Sequence, residues 1–309
     1  MSDEEFRSGF VCFVGRPNTG KSTLTNALVG TKVAITSSRP QTTRSTIRGI
    51  VNRDDCQLVL VDTPGLHRPR TLLGQRLNDL VRDTYSEVDA ICLTIPVDEK
   101  IGPGDKYILD QVTHMAPRTP LIGVVTKIDK VGKQRVAEQL VAVSKFLGGE
   151  RDVIPVSAES GEQVEALVGL LASMMKPGPA FYPEGEITDT DDDTMMAELI
   201  REAALEGVRD ELPHSLAVVI EEAVEREQTE AQEKSGKPPL LEVHALLYVE
   251  RSSQKAIIIG KGGARLKEVG TAARAEIEKL LGRRVFLSLH VKIAKDWQRD
   301  PKQLGRLGF

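Results

Sequence analysis

The first half of the chain alternates short apolar runs with amphipathic stretches. Residues 10–15 (FVCFVG), 56–62 (CQLVLVD), 90–96 (AICLTIP) and 121–127 (LIGVVTK) are nearly unbroken apolar runs of strand length. Such runs, without polar alternation, predict strands buried on both faces of a parallel sheet. Helical spacing follows in 22–30 and 136–147, a short strand in 153–157 and a last helix in 164–175. Residues 48–51 and 57–61 flank the turn-forming Asn52–Asp55, which predicts one antiparallel hairpin. Pro177, Pro179 and Pro183, with Gly178 and Gly185 among them, then break the rhythm and predict a linker. Beyond it the order changes to helix (194–211), strand (216–226), strand (241–249), two helices and a strand (285–292). Leu241, Val243, Ala245, Leu247 and Val249 share one strand face, as do Val285, Leu287, Leu289 and Val291. The pattern predicts an α/β domain over 1–178, mostly parallel and covered by helices on both faces. A linker over 179–193 and a smaller α+β domain over 194–309 follow it.

Composition narrows the class. Aromatic residues make up 4%, so stacking platforms are not expected to carry nucleic-acid recognition. No apolar run approaches the roughly 18 residues that span a bilayer, and the acidic start MSDEEFRSGF does not look like a secretion signal. Cys12, Cys56 and Cys92 are odd in number and lack metal-ligand spacing; Cys12 and Cys92 are expected as buried thiols of a cytosolic protein. The net charge of −4 conceals an asymmetry. Residues 241–309 hold 14 Lys and Arg against 7 Asp and Glu, whereas 1–240 are acidic. A basic end on an acidic chain points to a polyanionic partner for that end.

Gly15, Arg16, Pro17, Asn18, Thr19, Gly20, Lys21 and Ser22 complete the pattern GxxxxGK[ST], followed by Thr23, between a buried strand and a helix start. A glycine-rich turn there aims backbone N–H groups at phosphate oxygens, and the helix N-terminus adds partial positive charge. Lys21 is placed to reach the β- and γ-phosphates, and the Ser22 hydroxyl to ligate Mg²⁺. Asp62-Thr63-Pro64-Gly65 ends a strand, where Asp62 can hold Mg²⁺ through water and the Gly65 N–H can meet the γ-phosphate. The polar segment 36–47 contains Thr42 and Thr43, either of which can complete the metal shell in a switch loop. Thr126-Lys127-Ile128-Asp129 ends another strand. Asp129 can accept from the N1–H and the amine of guanine, a donor pair that adenine lacks, and the Lys127 stem can cover the base. Ser157 and Ala158 end the next strand, with the Ala158 N–H directed at guanine O6. These segments, in this order at strand ends, predict a GTP/GDP site with Mg²⁺.

Gly260-Lys261-Gly262-Gly263 is a G-x-x-G loop between an apolar stretch and a helix, with Lys255, Arg265 and Lys267 around it. The order helix–strand–strand–helix–helix–strand resembles a type II KH fold, in which such a loop clamps about four nucleotides.

The nucleotide motifs resemble translation-factor-related small GTPases, with two departures. Thr126 stands where those proteins usually carry the Asn that bridges the base loop to the phosphate loop, so a lower nucleotide affinity is expected. Leu66 stands where Ras-like proteins carry the water-orienting Gln, so slow unaided turnover is expected and no catalytic base is assigned; His67 reads as a solvated loop residue. With the second domain included, the chain resembles the Era family of bacterial ribosome-assembly GTPases. The resemblance rests on GRPNTGKST, SSRPQTTR, DTPG with Leu66, FYPEGEITD, IIIGKGGARLKEVG and the closing RLGF. It implies binding to the 3′ end of small-subunit ribosomal RNA during maturation of the small ribosomal subunit, with no DNA partner. It also implies, for some members, peripheral association with the inner face of the cell membrane. A GTPase of RNA modification and a P-loop small-molecule kinase are the alternatives. The first would need a second catalytic site that the sequence does not offer, and Asp129 and the switch segment argue against the second.

Overall fold

The computed structural model describes residues 5–36, 47–64, 71–208, 212–227 and 238–309. Two compact units result, the first extending to Asp189 with Thr71–Leu73 excepted, the second from Thr190 to Phe309.

The first unit is built on β1 (Arg7–Val14), β2 (Ile47–Asn52), β3 (Cys56–Asp62), β4 (Ala90–Pro96), β5 (Leu121–Thr126) and β6 (Val153–Pro155), in the order β2-β3-β1-β4-β5-β6. All neighbours are parallel except β2 and β3, which form the expected hairpin with Asn52 opposite Gln57. β3 and β4 are buried along their whole length, as strands covered on both faces must be. Side chains alternate across the sheet. Phe13, Leu58 and Cys92 join Leu24 and Leu28 of α1 (Lys21–Val29) and Leu167 and Leu171 of α5 (Val164–Met174) in one core. Cys12, Leu93 and Val125 face the other core, formed with α2 (Leu72–Glu87), α3 (Pro103–Met115) and α4 (Lys133–Phe146). The C-terminal ends of the parallel strands gather on one edge of the sheet, where ligands bind in open α/β folds.

The proline-rich segment after α5 is not a loose tether. β7 (Lys176–Pro177) pairs antiparallel with Arg7 and Ser8. The Gln57 side chain, 1% exposed, accepts from the N–H groups of Phe181 and Tyr182 and donates to Tyr182 O. Asn52 donates to Glu186 O, Ile50 N donates to Ile187 O, and Gly49 bridges Thr188 in antiparallel fashion. Arg48 and the Tyr182 hydroxyl both reach Asp189 at 2.8 Å. Residues 176–189 thus form a strap that starts on β1, is held by Gln57 of β3 and, from Glu186 to Asp189, runs along β2 at the rim of the sheet.

The second unit contains α6 (Asp192–Leu205), α7 (Leu212–Ser215), β8 (Ala217–Glu225), β9 (Leu241–Val249), α8 (Ser252–Ile259), α9 (Ala264–Leu281), β10 (Val285–Ile293) and α10 (Pro301–Arg306). Its sheet order is β10-β9-β8, with β10 parallel and β8 antiparallel to β9. Asp191 caps α6 by accepting from Thr194 N. Val269, Ala273 and Ile277 form the buried stripe of α9 at helical spacing. The helix expected to reach 211 ends at Leu205, two residues before Gly207, whose φ of 70° does not continue a right-handed helix. Trp297, fully buried, donates from Nε1 to Ser215 O and stacks on Phe309.

Candidate functional site

The phosphate loop leaves β1 at Val14 and enters α1 at Lys21. Asn18 has φ 65° and Gly20 φ 94°, two left-handed turns that curl the backbone tightly over the α1 N-terminus. Lys21 is buried rather than exposed, and its amine donates to Gly15 O at 3.2 Å and Arg16 O at 2.9 Å. Burial pulls this amine below the ordinary lysine value, and the charge of Asp62 opposes that shift.

Asp62, fully buried at the end of β3, accepts from the Ser22 hydroxyl at 2.7 Å. A carboxylate and a hydroxyl converging beside a phosphate loop are hard oxygen donors, the ligand set that Mg²⁺ takes with one or two protein groups and the nucleotide's phosphates. The residues present fit that ion. Thr42, Thr43, Gly65, Leu66 and His67 lie outside the described residues.

The base loop is tied to the phosphate loop at two points. Thr126, 4% exposed, donates from Oγ1 to Thr19 O at 2.6 Å, and Lys127 donates from Nζ to Asn18 O at 2.6 Å. The bridge for which an Asn was expected is therefore made by the threonine hydroxyl. Asp129 is exposed, with Oδ1 held by the buried Ser157 hydroxyl at 2.6 Å. That bond fixes the carboxylate plane. Gly20, Thr23, Lys127, Asp129 and Ala158 line a cavity of about 480 Å³, which also takes in Lys130 and Glu159. Neither of the last two stood out in the sequence, since a Lys and a Glu at loop ends carry no distinctive spacing. Pro17 and Asn18 are exposed on the outer rim of the loop.

In the second unit the G-x-x-G loop is a single tight turn, Lys261–Gly263, between α8 and α9. Gly262 has φ 60° and no atom lies within 4 Å of where a Cβ would stand. Lys261 and Lys267 are exposed and Lys255 half-buried. A groove of about 500 Å³ runs from Gly263 between α9 and β10, past Lys267, Gly270, Arg274 and Leu289. Arg274 was missed in the sequence. Its signal was the spacing 267, 270, 274, one face of a helix. Arg265 departs from the expectation that it faces a nucleic acid. Its guanidinium donates to Glu206 O and reaches Ala204 O at 3.5 Å, so it satisfies carbonyls at the end of α6.

The fold and these two sites define a P-loop GTPase carrying a KH domain. A family model described as 50S ribosome-binding GTPase matches residues 10–127, and one described as KH domain matches 211–298. The GTPase Era of Mycolicibacterium smegmatis is 70% identical over 305 residues, 99% of each chain, and that of Mycobacterium tuberculosis 65% identical over 306. Among solved structures, an Era variant from Aquifex aeolicus bound to GDP and AlF4⁻ is 35% identical with a TM-score of 0.89, covering 98% of this chain and 99% of that one. Era in complex with MgGDPNP and nucleotides 1506–1542 of 16S ribosomal RNA is 36% identical at the same TM-score and coverage. The chain belongs to the Era family of GTPases.

Proposed function

We propose that this GTPase binds the 3′ end region of small-subunit ribosomal RNA through its KH groove while GTP occupies the first unit, and releases it after hydrolysis, acting as a timer in small-subunit assembly in the cytoplasm. The observation that carries this is the presence, in one chain, of a guanine-type site and a G-x-x-G groove. A structural neighbour at 36% identity that holds both MgGDPNP and a 16S RNA fragment supports it.

In the first unit, Lys21 moves its amine from Gly15 O and Arg16 O to the phosphates, and the loop N–H groups hold the β-phosphate. Ser22 and Asp62 would hold Mg²⁺, which would neutralise phosphate charge; a hydroxyl of Thr42 or Thr43 is proposed to complete the metal shell and the Gly65 N–H to meet the γ-phosphate. Asp129, kept in orientation by Ser157, accepts from the guanine edge, the Ala158 N–H meets O6 and Lys127 covers the base. In the second unit, Lys261, Lys267 and Arg274 supply positive charge along the groove, with Lys255 behind them. Gly260, Gly262 and Gly263 let an RNA backbone come close. Arg265 serves as a strut for the loop by capping α6.

The test is filter binding and GTP turnover with an oligonucleotide of the 16S 3′ end, on wild type and on a variant with Lys261→Asp and Gly262→Asp. Two carboxylates at the clamp repel phosphates; the space beside Gly262 is open but its φ of 60° strains any side chain there, so thermal unfolding of the variant is measured beside binding. Loss of RNA affinity at physiological salt with GTP affinity intact is expected. Retained RNA affinity would move the RNA site elsewhere.

A further inference from the structure

Besides Lys21, the only charged side chain in the phosphate loop is Arg16. Its backbone and its side chain do different things. The Arg16 carbonyl is the resting acceptor of the Lys21 amine at 2.9 Å and of the Thr19 hydroxyl at 3.0 Å. The side chain meanwhile engages the segment that follows β4. Nε donates to Asp105 Oδ1 at 2.8 Å, and Nη2 lies 2.8 Å from Glu99 Oε2 as an ion pair. Asp105 is fully buried, whereas Glu99 is 42% exposed, so the Asp105 contact dominates. Asp105 also accepts from Gly102 N and so fixes the first turn of α3. The arginine stem lies directly on that turn. A Cβ on Gly104 would come within 2.8 Å of Arg16 Cδ, a closeness that a glycine at that position allows.

A second tie secures the other end of the loop. Thr94 of β4 donates from Oγ1 to Val14 O at 2.9 Å and sits 2.7 Å from the Thr19 hydroxyl. With the Thr94 proton on Val14 O, the single Thr19 proton is shared between Arg16 O and Thr94 Oγ1. Both residues are buried. β4 and the start of α3 therefore hold the phosphate loop from beneath, at Val14 and Thr19 through hydroxyls and at Arg16 through a buried carboxylate.

We infer that Arg16 is a positioning residue for phosphate binding: clamped to Asp105 and packed on Gly104, it sets the curvature of the loop that presents N–H groups to the β-phosphate. This rests on the assignment of Gly15–Ser22 as the phosphate site. Two of the three guanidinium nitrogens, Nε and Nη2, are held by Asp105 and Glu99, carboxylates of the segment that follows β4. Unpinning the loop at Arg16 keeps its ties to the base loop at Asn18 and Thr19 but makes nucleotide binding repeat the ordering that the clamp already supplies.

The experiment uses the full chain. Affinities for GDP, GTP and IDP are measured for wild type, Arg16→Met, Arg16→Lys and Asp105→Asn, with thermal unfolding of each. Arg16→Met keeps the stem against Gly104 and removes the fork. It is expected to weaken GDP and GTP together about tenfold and to raise KM for GTP, with the GDP-to-IDP ratio, which reads the base pocket, at the wild-type value. Arg16→Lys keeps one contact and should recover part of the loss. Asp105→Asn should reproduce it in smaller measure. Unchanged GDP affinity in Arg16→Met overturns the inference. So does a loss in Arg16→Met with none in Asp105→Asn, which would make Arg16 a direct phosphate ligand, and so does a shifted GDP-to-IDP ratio, which would mean general loosening. Should Arg16→Met fail to fold, Arg16→Lys against Asp105→Asn decides the same question. Lys21→Ala is the control: normal GDP binding there would refute the phosphate site itself, not the clamp.

Discussion

Thr126→Val removes one hydroxyl and nearly preserves shape. In the wild type that hydroxyl donates to Thr19 O at 2.6 Å, between residues 4% and 1% exposed. Its loss leaves a buried carbonyl without this donor, at a cost of about 1–3 kcal/mol. Where the cost appears depends on what can relax. Without nucleotide, the two loops can part slightly and let water reach Thr19 O, which spares most of the stability. A bound nucleotide touches both loops and forces them together again, so the cost returns as affinity. If about 1–2 kcal/mol falls on binding, Kd for GDP rises roughly 5- to 30-fold. Thermal unfolding of the nucleotide-free protein should shift by only a few degrees. Thr126→Ser keeps the donor and should match wild type. Thr126→Asn offers an amide donor to the same carbonyl, so it should gain little, within about threefold of wild type by this bookkeeping. Calorimetric titration with GDP, paired with thermal melts, reads both quantities. A valine variant that binds GDP as wild type does would refute the bridge, and a large gain in the asparagine variant would mean the threonine bridge is an inferior substitute.

Asp129→Asn should shift preference from guanine towards xanthine nucleotides, because an amide donates where a carbonyl replaces the guanine amine; competition between GTP and XTP measures it, and an unchanged preference would remove Asp129 from the base pocket. Burial pushes the Cys12 thiol up to about 12 and Cys56 to about 11, and Cys92 well above its usual value, so at pH 8 the native protein should show no fast-reacting thiol and the denatured protein three. Asp191 accepts from Thr194 N, which holds its carboxyl below the ordinary 3.8; a folded value below the unfolded one adds stability above that pH and loses it as pH falls through the folded value. Asp191→Ala should therefore cost about 1 kcal/mol at pH 7 in denaturant melts, with the difference from wild type vanishing in strong acid.

Much of this was legible because local pattern and tertiary role coincide. The apolar runs of β3 and β4 can only be strands covered on both faces, and the phosphate motif falls where a strand meets a helix. The order of elements in the second unit follows from its clean alternation. The illegible features depend on partners distant in sequence or on how a loop curls. Arg265, flanked by glycines and lysines, reads as an RNA contact, yet it meets carbonyls 59 residues away at the end of α6. The burial of Lys21 follows from the curl of the loop, which no spacing rule encodes. The proline-rich segment reads as a tether because its composition is that of one. Its order comes from Gln57 and Asn52, polar residues in or beside strands, whose targets are backbone groups and so leave no trace in the sequence they bind.

That strap bears on how the GTPase unit could be produced alone. β2 is the rim strand of the sheet, and a rim strand with open N–H and C=O groups is a template for pairing with another molecule. Ile187, Thr188 and Glu186 occupy those groups at Ile50, Gly49 and beside Asn52. A fragment cut after Gly178, where composition suggests the domain ends, would lose this cover along with the Gln57 contacts. It would carry a bare, partly apolar edge (Ile47, Ile50 and Val51) prone to self-association. A fragment cut after Asp189 keeps the edge shielded and the Arg48–Asp189 pair closed, so eleven residues of apparent spacer decide whether the rim of the excised sheet is open or covered.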